Sequence, residues 1–168
     1  MNFPKVTLAA EGITDFAILR RLVREAQLTP GDEHGGRGKP HLDKRTPAYN
    51  NAARFAPWIV ARDMDQDAPC AGDLARRILP DPAQFMRYRI VVRAVEAWLF
   101  GDQEAFCEVF SVARRHVPDD PEAIDRPKSS MLLALSKSSS RDVCRAMVRV
   151  NRNGVIELGP EYNAMLSA

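Results

Sequence analysis

The chain has 168 residues, 45 % of them hydrophobic, and a net charge of +2. That length suits one domain with its own apolar core, so no disulfide or zinc staple is required, and so small a charge argues against holding nucleic acid by bulk charge alone. The three cysteines, Cys70, Cys107 and Cys144, lie far apart without a CxxC pair and read as small core residues of a reducing compartment.

The first element is the apolar run Val6-Thr7-Leu8-Ala9-Ala10, which ends in Glu11-Gly12 and reads as a strand buried on both faces. A helix follows, with Thr14 or Asp15 as N-cap and Phe16, Ile18, Leu19, Leu22 and Val23 at helical spacing. Residues 29–47 are broken by Pro30, Gly31, Gly35, Gly36, Gly38, Pro40 and Pro47. They read as a mobile loop with room for a short strand, and a brief helix is expected near Tyr49 to Phe55. Trp58-Ile59-Val60-Ala61 is a second buried strand, and it runs into Arg62-Asp63-Met64-Asp65-Gln66-Asp67. A helix opens at Pro69 and runs through Ala75 to Leu79. Residues 88–92 form a third strand, and Val95 to Phe110 a helix with Trp98, Leu99, Phe106 and Phe110 inward. Two further helices are expected at about 128–137 and 140–150.

Strands alternating with helices predict an α/β fold: a small parallel sheet flanked by helices on both faces, Rossmann-like, with extra C-terminal helices. One domain is expected over 1–168, with a core at about 5–130 and a helical extension at about 128–168. No apolar run reaches the length of a membrane span, and the N-terminus shows no signal-peptide pattern. The expected place is the cytoplasm, with no membrane partner.

Ligands of such sheets bind outside the carboxyl ends of the strands, and both acidic motifs fall there. Asp63, Asp65 and Asp67 crowd three carboxylates into five residues. On an extended strand end, positions i and i+2 share a side, and such charges repel unless a cation or protons offset them. Hard oxygen ligands suit Mg²⁺, Mn²⁺ or Ca²⁺; the plainer reading is a solvated acidic turn. An EF-hand loop is excluded because Ala68 and Leu74 stand where its glycine and final glutamate belong. An aspartyl phosphatase is disfavoured by Asp67, where such enzymes carry Thr or Val. Glu11 closes the first strand, with Gly12 allowing a sharp turn after it. Asp15 lies four residues on, either as a second acid on the same edge or as an ordinary cap.

The order strand–Glu11-Gly12-x-Thr14-Asp15–helix, then strand–Asp63-x-Asp65, resembles the Toprim domain. It is most similar to the branch in OLD-type nucleases and in a related uncharacterised prokaryotic family associated with phage defence. Ala94-Val95-Glu96-Ala97-Trp98-Leu99 and Pro127-Lys128 add to the likeness, which spans about residues 5–130. The resemblance implies that Glu11 acts as general acid/base and that Asp63 and Asp65 bind Mg²⁺ (or Mn²⁺). It further implies Asp15 as a second acid and Lys128 as a downstream catalytic lysine. OLD-type proteins carry an ATPase domain on the same polypeptide, which this chain is expected to lack, so a separate partner ATPase is an expected partner.

Other residues keep two readings. Glu96, in an apolar helix start, either completes the metal site or caps the helix. Lys128, after Pro127, either helps bind a phosphate at a helix N-terminus or is a solvated lysine. Trp98 reads as core. Gly35-Gly36-Arg37-Gly38-Lys39 is no P-loop, since Pro40 replaces the Ser/Thr; Arg37 and Lys39 either touch phosphates or decorate a flexible loop. Arg141, Arg145 and Arg149 recur every four residues and, with Lys137 and Arg152, form a basic stripe that either follows a nucleic-acid backbone or is simply solvated. His34, His41 and His116 show no ligand spacing. The expected function is metal-dependent phosphodiester hydrolysis on nucleic acid. The alternatives are a non-catalytic accessory of an ATPase and a small-molecule phosphatase.

Overall fold

The computed structural model of the protein describes residues 5–150 and 156–158, with side chains described through Val148. The chain forms two compact units that meet in sequence at Val91 and Val92. The first holds an all-parallel sheet of β1 (Lys5–Ala10), β2 (Thr29–Gly35), β3 (Trp58–Asp63) and β4 (Met86–Val91), in the order β2-β1-β3-β4. The connections are α1 (Ile13–Glu25), α2 (Lys39–Ala52) and α3 (Ala71–Ile78). The chain steps one way from β1 to β2 and the other way thereafter, so right-handed crossovers put α1 on one face and α2 and α3 on the other.

The core follows from that layering. Leu42, Tyr49 and Ala53 pack with Ala9, Trp58, Val60, Met86 and Tyr88, and α3 adds Ala75 and Ile78. Leu8 and Ala10 alternate with Ala9 and are wholly buried on the opposite face, which α1 covers with Phe16, Leu19 and Val23. Each fully buried aliphatic side chain contributes roughly 1.5–3 kcal/mol, which is why the short runs in β1 and β3 dominate the sheet.

The segment read as a mobile loop with room for a short strand over 29–47 does hold a strand, β2, but the rest of it is ordered as most of α2. β2 has no apolar alternation, but as an edge strand it tolerates Pro30 and Gly31, and the register with β1 slips between Val6 and Leu8. Pro40 falls in the first turn of α2, where its missing N–H costs nothing, and Pro47 is exposed within the helix. Leu42, Thr46, Tyr49 and Ala53 keep a buried stripe at helical spacing, which overrides the proline.

The second unit contains α4 (Val95–Leu99), α5 (Gln103–Phe110), α6 (Pro127–Leu135), α7 (Arg141–Met147) and an antiparallel pair, β5 (Val148–Val150) with β6 (Ile156–Leu158). Its core includes Phe100, Phe106 and Phe110, whose rings meet in sequence at centroid distances of 4.9 and 4.7 Å. The single helix expected from Val95 to Phe110 is broken at Gly101-Asp102, because Asp102 caps α5 by accepting the Ala105 N–H at 3.0 Å. Trp98, read as core, is 41 % exposed, because the buried face here is made by Val95, Glu96, Ala97 and Phe100. The helix expected over 140–150 stops at Met147, and the alternating Val148-Arg149-Val150 continues as a strand. Cys70 is exposed rather than core, since it caps α3 at the surface; Cys107 and Cys144 are half-buried, and all three thiols are free. Among the described residues no helix is long and apolar enough to cross a membrane.

Candidate functional site

The strand order reverses between β1 and β3. Helices leaving those strands toward opposite faces open a crevice at their carboxyl ends, the usual ligand position in such sheets. Glu11 follows β1 and Asp63 ends β3. The Glu11 carboxylate accepts the Asp63 N–H through Oε1 at 3.0 Å, so the Glu11 side chain reaches the Asp63 backbone across the crevice.

The turn after Glu11 is built by Gly12 and Asp15. Gly12, not Thr14 or Asp15, is the N-cap of α1. Its N–H donates to Asp15 Oδ2 at 3.0 Å, the reach-back half of a capping box. Asp15 is buried there, one helical turn from Glu11.

The glycine-rich segment wraps the end of β1. Gly36 N–H donates to the Ala10 carbonyl at 2.9 Å and Gly38 N–H to the Glu11 carbonyl at 3.0 Å. Gly35 has φ +109°, and a Cβ there would fall 2.2 Å from the Ala10 oxygen, so only glycine fits. Gly38 caps α2 and delivers Lys39 as its first residue. The Lys39 ammonium donates to Asp65 and, at 3.0 Å, to Asp67. Arg37, on the same loop, is exposed.

β3 stops at Asp63, and Asp65 takes a left-handed backbone with φ +46°. Asp67 N–H then closes a turn onto the Met64 carbonyl at 3.1 Å. The extended geometry that would put Asp63 and Asp65 on one side is therefore not adopted. The side chains of Asp65 and Asp67 are gathered by cations instead.

Arg62 is the second of those cations, and the sequence reading passed over it. Only 4 % exposed, it binds Asp43 through Nε at 2.8 Å and Nη2 at 3.0 Å. The same Nη2 meets Asp67 at 2.8 Å, and Nη1 donates to the Asp63 carbonyl at 2.9 Å. An arginine directly after the apolar run Trp58-Ile59-Val60-Ala61, still within the buried strand, was the available signal: a buried guanidinium demands carboxylates. Lys39, Asp43, Arg62, Asp67, Leu74 and Arg77 line an open cleft of about 540 Å³.

Burial pushes the Glu11 carboxyl up from 4.5 to about 7, aided by the Asp15 charge and opposed by Lys39, the Asp63 N–H and Arg62. The hydrogen bond from Lys39, and after it that from Arg62, holds Asp67 below its ordinary value in spite of some burial. The Glu11 shift sets a stability trend. Between about pH 4.5 and 7 the folded chain holds a proton on Glu11 that the unfolded chain has released, so this group's contribution falls as pH rises through that window. Without metal, Glu11→Gln should gain on the native protein from pH 5 to pH 7, read as the difference between their melting temperatures. A difference that stays constant with pH means that the carboxyl is not desolvated.

Among the described residues, no group of three or more His, Cys, Asp or Glu side chains is spaced to hold a metal ion as it stands. The donor chemistry nonetheless fits a hard cation: these are carboxylate oxygens, and Asp65 and Asp67 already share one positive charge, the ammonium of Lys39. Glu11, Asp15, Asp63, Asp65 and Asp67 all belong to the first unit. Glu96, buried in the first turn of α4, and Lys128, exposed in the first turn of α6, belong to the second. Arg141 and Arg145 are exposed on α7, but Arg149 lies on β5, so the three do not line one helix face. The side chain of Arg149, like the whole of Arg152, is outside the described residues.

Comparison with known proteins finds no matching family model, no matching curated protein and no matching solved structure.

Proposed function

We propose that the chain hydrolyses phosphodiester bonds of nucleic acid with Mg²⁺ or Mn²⁺, as a Toprim-type nuclease of a prokaryotic phage-defence system. The observation that carries this reading is the Glu11 carboxylate on the Asp63 N–H, which joins the ends of β1 and β3 at the point where the sheet reverses. Asp63, Asp65 and Asp67, with Glu11 and Asp15, are the residues to hold the cation. When bound, a divalent cation polarises the phosphoryl group and neutralises developing charge. Glu11, whose carboxyl is pushed up to about 7 by burial in the metal-free chain, is assigned by resemblance to take up and release a proton. Lys128 is assigned by resemblance to stabilising negative charge. Arg37, Arg141, Arg145 and Arg149 are assigned to the phosphate backbone, where contacts position rather than specify. We place the protein in the cytoplasm, where its free thiols stay reduced.

A second reading is favoured by Lys39. An ammonium already on Asp65 and Asp67 suits a non-catalytic accessory of a partner ATPase, with the acidic cluster kept as a structural ion-pair network. A plasmid-nicking assay separates the two. Nicking should appear with Mg²⁺ or Mn²⁺ and vanish with EDTA, with or without a partner ATPase. Absence of cleavage under every condition favours the accessory; turnover of a generic small phosphoester with no nicking favours a phosphatase.

A further inference from the structure

We propose that Lys39 is a built-in counter-ion, whose ammonium holds Asp65 and Asp67 in the metal-free protein and must leave them for a divalent cation to enter. This rests on the metal reading above and adds a competitor within the chain.

Three observations carry it. The first is position. Lys39 is the first residue of the 14-residue α2, and a cation at a helix N-terminus opposes the helix dipole. The carboxylates offset that cost, and they are the only anions that Lys39 pairs with among the described residues. The second is how it is held. Gly36 and Gly38 hook the loop backbone onto the Ala10 and Glu11 carbonyls, so the base of the lysine is fixed while its stem stays flexible. The third is the contrast with Arg62, which also reaches Asp67 but is buried and clamped by Asp43. Of the two cations Lys39 is the exchangeable one: its side chain is 21 % exposed, and its partners Asp65 and Asp67 are 55 % and 36 % exposed. A divalent cation arriving at the carboxylates removes the partners of Lys39 and repels its charge, so the two cannot share the site.

The test is Mn²⁺ binding by titration calorimetry, with no substrate and no activity involved. Lys39→Met should bind Mn²⁺ about tenfold more tightly, the magnitude set by removing two partly exposed ion pairs and one repulsion. Lys39→Arg and Lys44→Met, which keeps Lys39 while removing a charge from the same helix, should match the native protein. Metal-free Lys39→Met should melt lower than native and recover more on adding Mg²⁺; Lys39→Gln repeats the test should the methionine variant fold poorly. Equal or weaker Mn²⁺ affinity without Lys39 overturns the counter-ion role and leaves the metal reading standing. Absence of Mn²⁺ binding in every form ends both.

Discussion

Glu11→Gln should abolish cleavage while leaving nucleic-acid affinity within about twofold of native, because affinity comes chiefly from phosphate contacts by basic residues. Gln keeps an acceptor for the Asp63 N–H, so the junction of β1 and β3 survives and only the ionisable group is lost. Removing a positioned acid or base costs typically about 10²–10⁴-fold in rate. The conservative change therefore isolates chemistry from folding, which Glu11→Ala does not. The check is cleavage under single-turnover conditions and binding of the same substrate, both at two salt concentrations, since binding through phosphates weakens with salt. A variant that cleaves as fast as the native protein removes Glu11 from the reaction. A variant that loses binding and cleavage together shows that Glu11 shapes the site rather than acting in it.

What could be read from the sequence followed burial. Val6 to Ala10 and Trp58 to Ala61 announce themselves as strands because both faces of each are covered, and the parallel sheet follows from their alternation with helices. Glu11 and Asp63 were legible as a pair for the same reason: each ends such a strand. β2 was hidden because an edge strand needs no apolar alternation, and Thr29-Pro30-Gly31-Asp32 carries none. α2 was hidden by its prolines, although Leu42, Thr46, Tyr49 and Ala53 already held the helical stripe. The electrostatics of the site were the least legible. Nothing local tells that Lys39 crosses to residues 65 and 67, or that Asp43 crosses to Arg62; those pairs exist only once β1, β3 and α2 are assembled. The glycines around Arg37 were open to either a phosphate contact or a plain flexible loop, whereas in the structure Gly35 makes a close approach to β1 and Gly36 and Gly38 bond to the Ala10 and Glu11 carbonyls.

Arg62 carries the largest expected effect on stability. Its guanidinium is buried at the end of β3 and makes four polar contacts, two to Asp43, one to Asp67 and one to the Asp63 carbonyl. Arg62→Met fills the space with apolar atoms but leaves Asp43 with no arginine and Asp67 with Lys39 alone. Breaking a buried ion pair from one side costs about 3–5 kcal/mol. Here Asp43 and Asp67 are each about a third exposed, so water recovers part of the loss. We expect a loss of about 2–3 kcal/mol, read as a fall of about 4–12 °C in Tm. Adding Asp43→Asn should return part of that loss, because the carboxylate stranded by the first change is gone; a double-mutant cycle gives the coupling directly. Since the variant leaves the cluster more negative, Mg²⁺ should raise its Tm by more than it raises that of the native protein. If Arg62→Met melts within a degree or two of native and responds to Mg²⁺ no differently, Arg62 is a bystander and the acids at the carboxyl end of the sheet are held together by something else.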